Sequence, residues 1–414
     1  RAKMGKIADL YSDKIYLTDD NPRFEQPAKI RKDIKKGIKK QKVIEFTNRA
    51  KAITEAIKNL NTGEILLVAG KGHETIQEIG KKKNFFSDKK VILNAIKKKN
   101  LSLSNNLKVN IINELSGEKK ISPKVSFKQA RINSQEVNKS DIFFAIKGKK
   151  NDGNKFIGEA FKKKASIAIV NTINKNNNKK LQVKVKNTLK FLTKSSKIYR
   201  QNINTNIIAI TGSCGKTTLK ELLGNSLKQV SKVSISPKSY NNKYGVPLSL
   251  FNLNQKDEYG VLEIGMDKTG EIDYLSKIVQ PDVSVITNIS YAHAKNFKDL
   301  RQIALAKSEI INNTKDNGFI ILNADDNFFW LHKKLAIKRN LKIISFGIRS
   351  RNSNIKLLNI KKEANKYKVT IKVNDLITYF LIQTDFQNNI LNILATLAVM
   401  SIYLDISKID KNIF

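Results

Sequence analysis

Thr211-Gly212-Ser213-Cys214-Gly215-Lys216-Thr217-Thr218 follows directly on the apolar run Ile207-Ile208-Ala209-Ile210 and leads into Leu219-Lys220-Glu221-Leu222. This order predicts a buried strand, a glycine-rich turn and the first turn of a helix. Such a turn aims backbone N–H groups and a helix N-terminus at one spot, which suits a phosphate. Lys216 can then reach the outer phosphates and the Thr217 hydroxyl can ligate Mg²⁺. The general pattern G-x-x-x-x-G-K-[ST] is not met, because Ile210 stands where its first glycine would fall; the motif is the shorter G-x-x-G-K-T. A purely structural strand-to-helix turn is the competing reading. Cys214 is a small loop filler or a nucleophile.

The segments after this loop end in polar clusters too. Gly260-Val261-Leu262-Glu263-Ile264-Gly265 puts Glu263 at a strand end, where a carboxylate beside the loop threonine can hold Mg²⁺. Thr287-Asn288-Ile289-Ser290-Tyr291-Ala292-His293 follows another buried run, and His293 is one of only three histidines. It is either a hydrogen-bonded structural residue or a metal or phosphate ligand. Ala304–Ile310 carries Lys307 on an apolar helical face, and Leu322-Asn323-Ala324-Asp325-Asp326 ends a strand with groups that can hold adenine and ribose, or form a plain turn. Strands alternating with helices imply parallel α/β sheets, whose ligands sit at the carboxyl ends of strands.

At 414 residues, of which 40% are hydrophobic, the chain is long enough for about two to four domains with ordinary cores. No apolar run reaches the roughly 18 residues of a membrane span, and no signal peptide is seen. One cysteine excludes an internal disulfide and fits a reducing cytoplasm. The net charge of +41, from 77 basic and 36 acidic side chains, raises nucleic acid as a partner. The lysines are nevertheless scattered, arginine is sparse, and aromatics at 7% do not interleave with the basic residues. Solvated lysine-rich faces are the better reading, and no nucleic acid partner is expected.

Residues 1–98 alternate strand and helix signals: a strand at Lys14–Thr18, helices at Ala28–Lys40 and Asn48–Leu60, and a buried strand at Glu64–Ala69. Residues 99–122 read as a linker and the start of the next part, 123–200 as a small α/β region, 201–343 as the region around the phosphate loop, and 344–414 as a further region with strands and an apolar helix at Asn388–Tyr403.

The order and spacing of these motifs, joined by Tyr240-Asn241-Asn242-Lys243-Tyr244-Gly245-Val246-Pro247-Leu248-Ser249, resemble the Mur ligase family, most closely its MurF type. The Asn-Asn-x-x-Gly-Val-Pro segment separates this resemblance from the folylpolyglutamate synthases, which share the short phosphate loop. Arg131-Ile132-Asn133-Ser134-Gln135 and Asp152-Gly153-Asn154 are similar to the family's UDP-substrate domain, although the usual Asp-Ser-Arg stands here as Asn133-Ser134-Gln135. Residues 1–98 resemble instead the C-terminal domain of the MurE type: Asp20-Asn21-Pro22-Arg23 and Gly70-Lys71-Gly72-His73-Glu74 match its two diaminopimelate-binding motifs. Arg23 can pair with a carboxylate bidentately and Glu74 can take an ammonium.

The resemblance implies a multidomain α/β fold: a Rossmann-like Mur ligase C-terminal domain at 1–98, a small UDP-binding domain at 123–200, a central ATP-binding domain at 201–343, and a truncated final domain at 344–414 that stops before an Asn-rich substrate motif. The chain would be a piece of a MurE–MurF fusion. It implies an ATP- and Mg²⁺-dependent ligase that joins D-Ala-D-Ala to UDP-N-acetylmuramoyl-tripeptide, in the cytoplasm and as a monomer; a bifunctional ligase and a folylpolyglutamate-type ligase are the alternatives. Lys216, Glu263, His293 and Lys307 would be catalytic. Gly212, Ser213, Cys214, Gly215, Lys216, Thr217, Thr218, Asn323 and Asp326 would hold ATP. Thr217 and Glu263 would hold one Mg²⁺, and His293 and Lys307, the latter often carbamylated in the family, would serve a second. Asn133, Ser134, Asn241, Asn242 and Asn288 would contact substrate, while Asp20, Asn21, Arg23, Gly70 and Glu74 would form the diaminopimelate-type site.

Overall fold

The structure, a computed structural model, describes residues 1–414 except 40–42, 61–63, 73, 81, 104–106, 118–120, 122–126, 149–150, 292–295 and 384–386. The chain forms two compact units, Arg1–Asn105 and Asn106–Phe414.

The first unit runs α1 (Ala2–Tyr11), β1 (Ile15–Thr18), α2 (Pro27–Lys35), β2 (Val43–Phe46), α3 (Arg49–Asn59), β3 (Ile76–Ile79), β4 (Lys82–Phe85) and α4 (Asp88–Leu103). β1 and β2 pair in parallel and β3 and β4 form an antiparallel hairpin. The Asn48 side chain caps α3 by accepting from Lys51 N. Ile53 and Ile57 of α3 pack with Ala95 of α4. α2 stops short of the expected Lys40. Gly37 beyond it lies so close to α1 that an added Cβ would fall 1.9 Å from the Ala2 carbonyl oxygen.

Glu64–Ala69 corrects the reading as a buried strand. Among the described residues it pairs with no strand, and although Leu66 and Val68 pack on the α3–α4 core, Ile65 is 94% and Leu67 84% exposed. An apolar run becomes a doubly buried strand only with neighbours on both edges and covered faces; here one face alone is covered.

The second unit opens with α5 (Leu107–Ser116). Residues 99–122, read as a linker and the start of the next part, hold the end of α4 and the whole of α5, and α5 buries Leu107, Val109, Ile111 and Ile112. Lysines and asparagines around these apolar residues masked the helix in the sequence. Next come β5 (Ala130–Arg131), β6 (Ile142–Phe144), α6 (Ile157–Lys162), β7 (Ile167–Val170), β8 (Gln182–Lys184) and α7 (Thr188–Gln201). The four strands form a parallel sheet over a core of Phe143, Ala145, Ile157, Ala160, Ala168 and Val170.

The remainder is β9 (Asn206–Thr211), α8 (Lys216–Lys228), β10 (Val233–Ile235), α9 (Gly245–Asn252), β11 (Tyr259–Glu263), α10 (Glu271–Val279), β12 (Val283–Ile286), α11 (Leu300–Asn313), β13 (Phe319–Asn323), α12 (Phe329–Lys338), β14 (Lys342–Gly347), β15 (Ile355–Glu363), β16 (Lys366–Val373), β17 (Leu376–Ile382) and α13 (Gln387–Tyr403). Its sheet has nine strands in the order β10-β11-β9-β12-β13-β14-β15-β16-β17, parallel as far as the β14–β15 pair and antiparallel after it.

No structural boundary falls at 343/344. β14 straddles it, and a single core joins Ile208, Val261 and Val285 to Leu219 and Leu223 of α8 and to Ile390, Leu394 and Ala398 of α13. The expected separate final domain at 344–414 is thus the far half of the sheet around the phosphate loop. A register shift between Leu357 and Asn359 breaks the period-two pattern of β15.

Candidate functional site

β9, β11, β12 and β13 are neighbours in one parallel sheet, so their polar carboxyl ends converge. The loop after β9 holds the sharpest backbone. Gly212 has φ +150 and Gly215, the N-cap of α8, has φ +79. A Cβ on Gly212 would sit 1.8 Å from the Thr287 hydroxyl oxygen, so only glycine fits there.

Two lysines meet at this turn, Lys307 buried and Lys216 partly buried. Lys216 Nζ donates to the carbonyl oxygens of Gly212 (2.9 Å) and Ser213 (3.1 Å), and Lys307 Nζ, from α11, donates to the same Gly212 oxygen (2.9 Å). Burial lowers the pKa of both lysines. For Lys307 it does so first, with the Lys216 ammonium adding and Cys214 opposing, to about 7. Lysine at that value is a usable nucleophile or base.

Thr217 Oγ1 donates to Glu263 Oε2 at 2.7 Å, and Asn241 Nδ2 donates to Glu263 Oε1 at 2.7 Å. Glu263 is 1% exposed. A buried carboxylate and a hydroxyl at a helix N-terminus are a hard oxygen donor set that fits Mg²⁺, which uses one or two carboxylates and completes its shell with phosphate and water. Among the described residues no group of three or more His, Cys, Asp and Glu side chains is placed to hold a metal. His293 lies outside the described residues.

The segment after β12 braces the loop from behind. Asn288 accepts from Cys214 N through its side chain (2.9 Å) and from Ser213 N through its carbonyl (2.9 Å). Ser213 Oγ donates to Ser290 O, and Thr287 Oγ1 to Cys214 O. Cys214 and Thr218 are exposed. Asn288, read as a substrate contact, is therefore occupied in shaping the loop. Asn323 and Asp326, read as nucleoside ligands, brace in turn. Asn323 Nδ2 donates to Thr287 O (3.1 Å), and Asp326 accepts from Ile289 N (2.7 Å) and Phe328 N (2.8 Å). Asn242 Oδ1 accepts from Tyr244 N and Gly245 N in the turn that leads into α9, while Asn133 caps a turn through Gln135 N. Ser134 Oγ donates to Glu159.

The sequence reading missed Asn392. It lies on α13, 7% exposed, and a Cβ on Gly215 would fall 3.4 Å from its side-chain oxygen. An amide interrupting the apolar run Ile390-Leu391-Asn392-Ile393-Leu394 was the available signal.

In the first unit, Asn21, Arg23 and Glu74 line a cleft of about 220 Å³ with Thr75, Ile76 and Glu78. Asn21 Nδ2 donates to Glu74 Oε2 at 2.8 Å, and the buried Lys71 ammonium lies 3.7 Å from the same carboxylate. Asp20 abuts Gly70, where φ is +112. Burial raises the Asp20 pKa, against Arg49 and Lys71. Arg23, at φ 49, faces Glu78 at 3.3 Å. The five residues read as one site do lie together.

Residues 210–400 match the Mur ligase middle domain, and residues 1–72 match the Mur ligase glutamate ligase domain. The UDP-N-acetylmuramoyl-tripeptide–D-alanyl-D-alanine ligase of Rickettsia prowazekii is 34% identical over 69% of this chain and 64% of its own length. The Escherichia coli enzyme of the same name is 30% identical over 62% and 56%. Among solved structures, MurF of Acinetobacter baumannii superposes with a TM-score of 0.64 at 28% identity, over 73% of this chain and 66% of that one. MurF ligase of Thermotoga maritima in complex with ADP superposes with 0.59 at 30% identity, over 69% and 66%. The chain spans less than two thirds of the length of these curated relatives. It has the multidomain α/β fold of the Mur ligases.

Proposed function

We propose that residues 106–414 serve ATP-dependent amide ligation in peptidoglycan precursor synthesis, joining D-Ala-D-Ala to UDP-N-acetylmuramoyl-tripeptide. The observation that carries this reading is the pairing of Thr217 with Glu263 beside a turn on which Lys216 and Lys307 converge. That arrangement is suited to a nucleoside triphosphate, and the Thermotoga relative carries ADP. The tripeptide carboxylate attacks the γ-phosphate and releases ADP, and the amine of D-Ala-D-Ala then displaces phosphate from the acyl phosphate. Bound Mg²⁺ would neutralise phosphate charge; Thr217 and Glu263 would hold it, and His293 and Lys307 are proposed to serve a second ion. Lys216 supplies fixed positive charge where the phosphoryl group transfers. Asn288, Asn323 and Asp326 hold the loops that position it. Asn133, Ser134, Asn241 and Asn242 shape the substrate side, with residues 123–200 as the UDP-substrate region.

Residues 1–98 are proposed to be the C-terminal domain of a MurE-type ligase preceding the MurF-type part, in a cytoplasmic, monomeric protein. Support comes from the match of residues 1–72 to a glutamate ligase domain that stands ahead of the middle domain, and from the cleft that gathers Asn21, Arg23 and Glu74. The test is phosphate release with ATP, Mg²⁺, UDP-N-acetylmuramoyl-tripeptide and D-Ala-D-Ala, omitting each acceptor in turn. Release that needs both acceptors supports the ligase; release indifferent to them contradicts it.

A further inference from the structure

Lys220 has a fully buried side chain although it stands in the second turn of α8, one turn beyond Thr217. A lysine ammonium is placed in such surroundings only with partners that repay its lost hydration. Its partners are the Lys238 carbonyl oxygen, a short contact, and Glu221 Oε1 at 3.0 Å. Lys238 sits at φ +47, a strained conformation for a lysine. The strain falls within Ser236–Asn242, which makes four further contacts. Asn241 donates to Glu263 and accepts, at its carbonyl, from Gly265 N. Tyr240 OH donates to Glu136 Oε2 at 3.2 Å, and Lys238 Nζ lies 3.7 Å from Glu136 Oε1. Glu136 belongs to the turn that Asn133 caps. One short segment thus touches the phosphate-loop helix, the buried carboxylate and the small parallel sheet's first turn.

We propose that Lys220 is a positioning residue: its buried ammonium ties Ser236–Asn242 to α8 and thereby sets the Asn241 amide on Glu263. The amide occupies one oxygen of Glu263 and leaves the other turned to Thr217. The role rests on the proposal that Thr217 and Glu263 receive Mg²⁺ beside a nucleotide. Lys220 itself touches neither. Groups that orient a metal ligand commonly change metal affinity by about 10–100-fold when removed.

The test is ADP binding by the whole chain, titrated with and without Mg²⁺, for the parent protein, Lys220→Met, Asn241→Ala and the double variant. Expected for Lys220→Met is metal-free ADP binding within about twofold of the parent and an Mg²⁺ midpoint raised about tenfold. The double variant should be no worse than the poorer single variant, because both break one connection. A purely structural lysine would lower thermal stability, leave the Mg²⁺ midpoint in place, and combine additively with Asn241→Ala; either of the last two results overturns the proposal. Lys220→Gln, an uncharged residue that keeps an N–H donor, provides the same readout should the methionine variant fail to fold. Absence of any Mg²⁺ effect in the parent protein would instead overturn the nucleotide reading, and this inference with it.

Discussion

Lys216 carries the largest consequence for a single side chain. Its ammonium is held by two loop carbonyls, so truncation removes a preorganised charge without opening a core. Lys216→Ala should slow phosphate release about 10²–10³-fold, about 3–4 kcal/mol in barrier terms, while circular dichroism and melting stay those of the parent; turnover at the parental rate would refute the assignment. Gly212→Ala acts by a different route. The methyl would collide with the Thr287 hydroxyl at a φ that L residues rarely adopt, so ADP binding measured by calorimetry should be lost even though no side chain was removed. Lys108 tests electrostatics away from the site. Its ammonium lies 5.4 and 5.6 Å from the Tyr199 and Phe251 ring centres, and burial, opposed by Asp141, lowers its pKa to about 8. The unfolded lysine titrates near 10.4. Between these values the unfolded chain holds the extra proton, so this residue makes stability rise with pH across that window and adds no slope below it. Lys108→Met should flatten that rise in melting experiments run from pH 7 to 10.

At the scale of elements, the helix that covers the phosphate-loop helix decides most. α13 packs on α8 and buries Leu394 and Leu397 completely. Leu394→Ala should cost about 2–5 kcal/mol in urea unfolding, and it should weaken ADP binding too, because Asn392 rides on the same helix beside Gly215. If residues 344–414 were a separate domain, the binding loss would not appear. This element shows where the sequence was legible and where it was not. The phosphate loop, Glu263 and Lys307 declared themselves because each breaks a strongly apolar run at a strand end or on a helix face. The strands β9, β11, β12 and β13 were legible for the same reason. α5 was not, since lysine and asparagine dilute its apolar face. Nor was the unity of 201–414, because strand order is set by pairing between distant segments. Asn133, Asn242, Asn323 and Asp326 were recognisable as polar residues at loop ends, but capping and ligand binding draw on the same residue types.

For the whole molecule, each of the two units holds one of the two candidate sites. The loop with Lys216, Glu263 and Lys307 lies wholly in residues 106–414, and the cleft of Asn21, Arg23 and Glu74 wholly in residues 1–105. Residues 106–414 expressed alone should bind ADP as tightly as the whole chain, measured by calorimetry. A weaker affinity would mean that the first unit supports the loop. The strand order carries a consequence for how the molecule is made. β9 lies between β11 and β12, and the helix that follows it is roofed by α13, the last long helix among the described residues. Synthesis delivers the chain from its N-terminus at a few residues per second. The apolar face of α8, Leu219, Leu223 and Leu227, therefore leaves the ribosome well before its cover exists. A nascent chain paused ahead of α13 presents an incomplete turn beside a bare greasy face, and that is the stage at which a chaperone would find the most to hold.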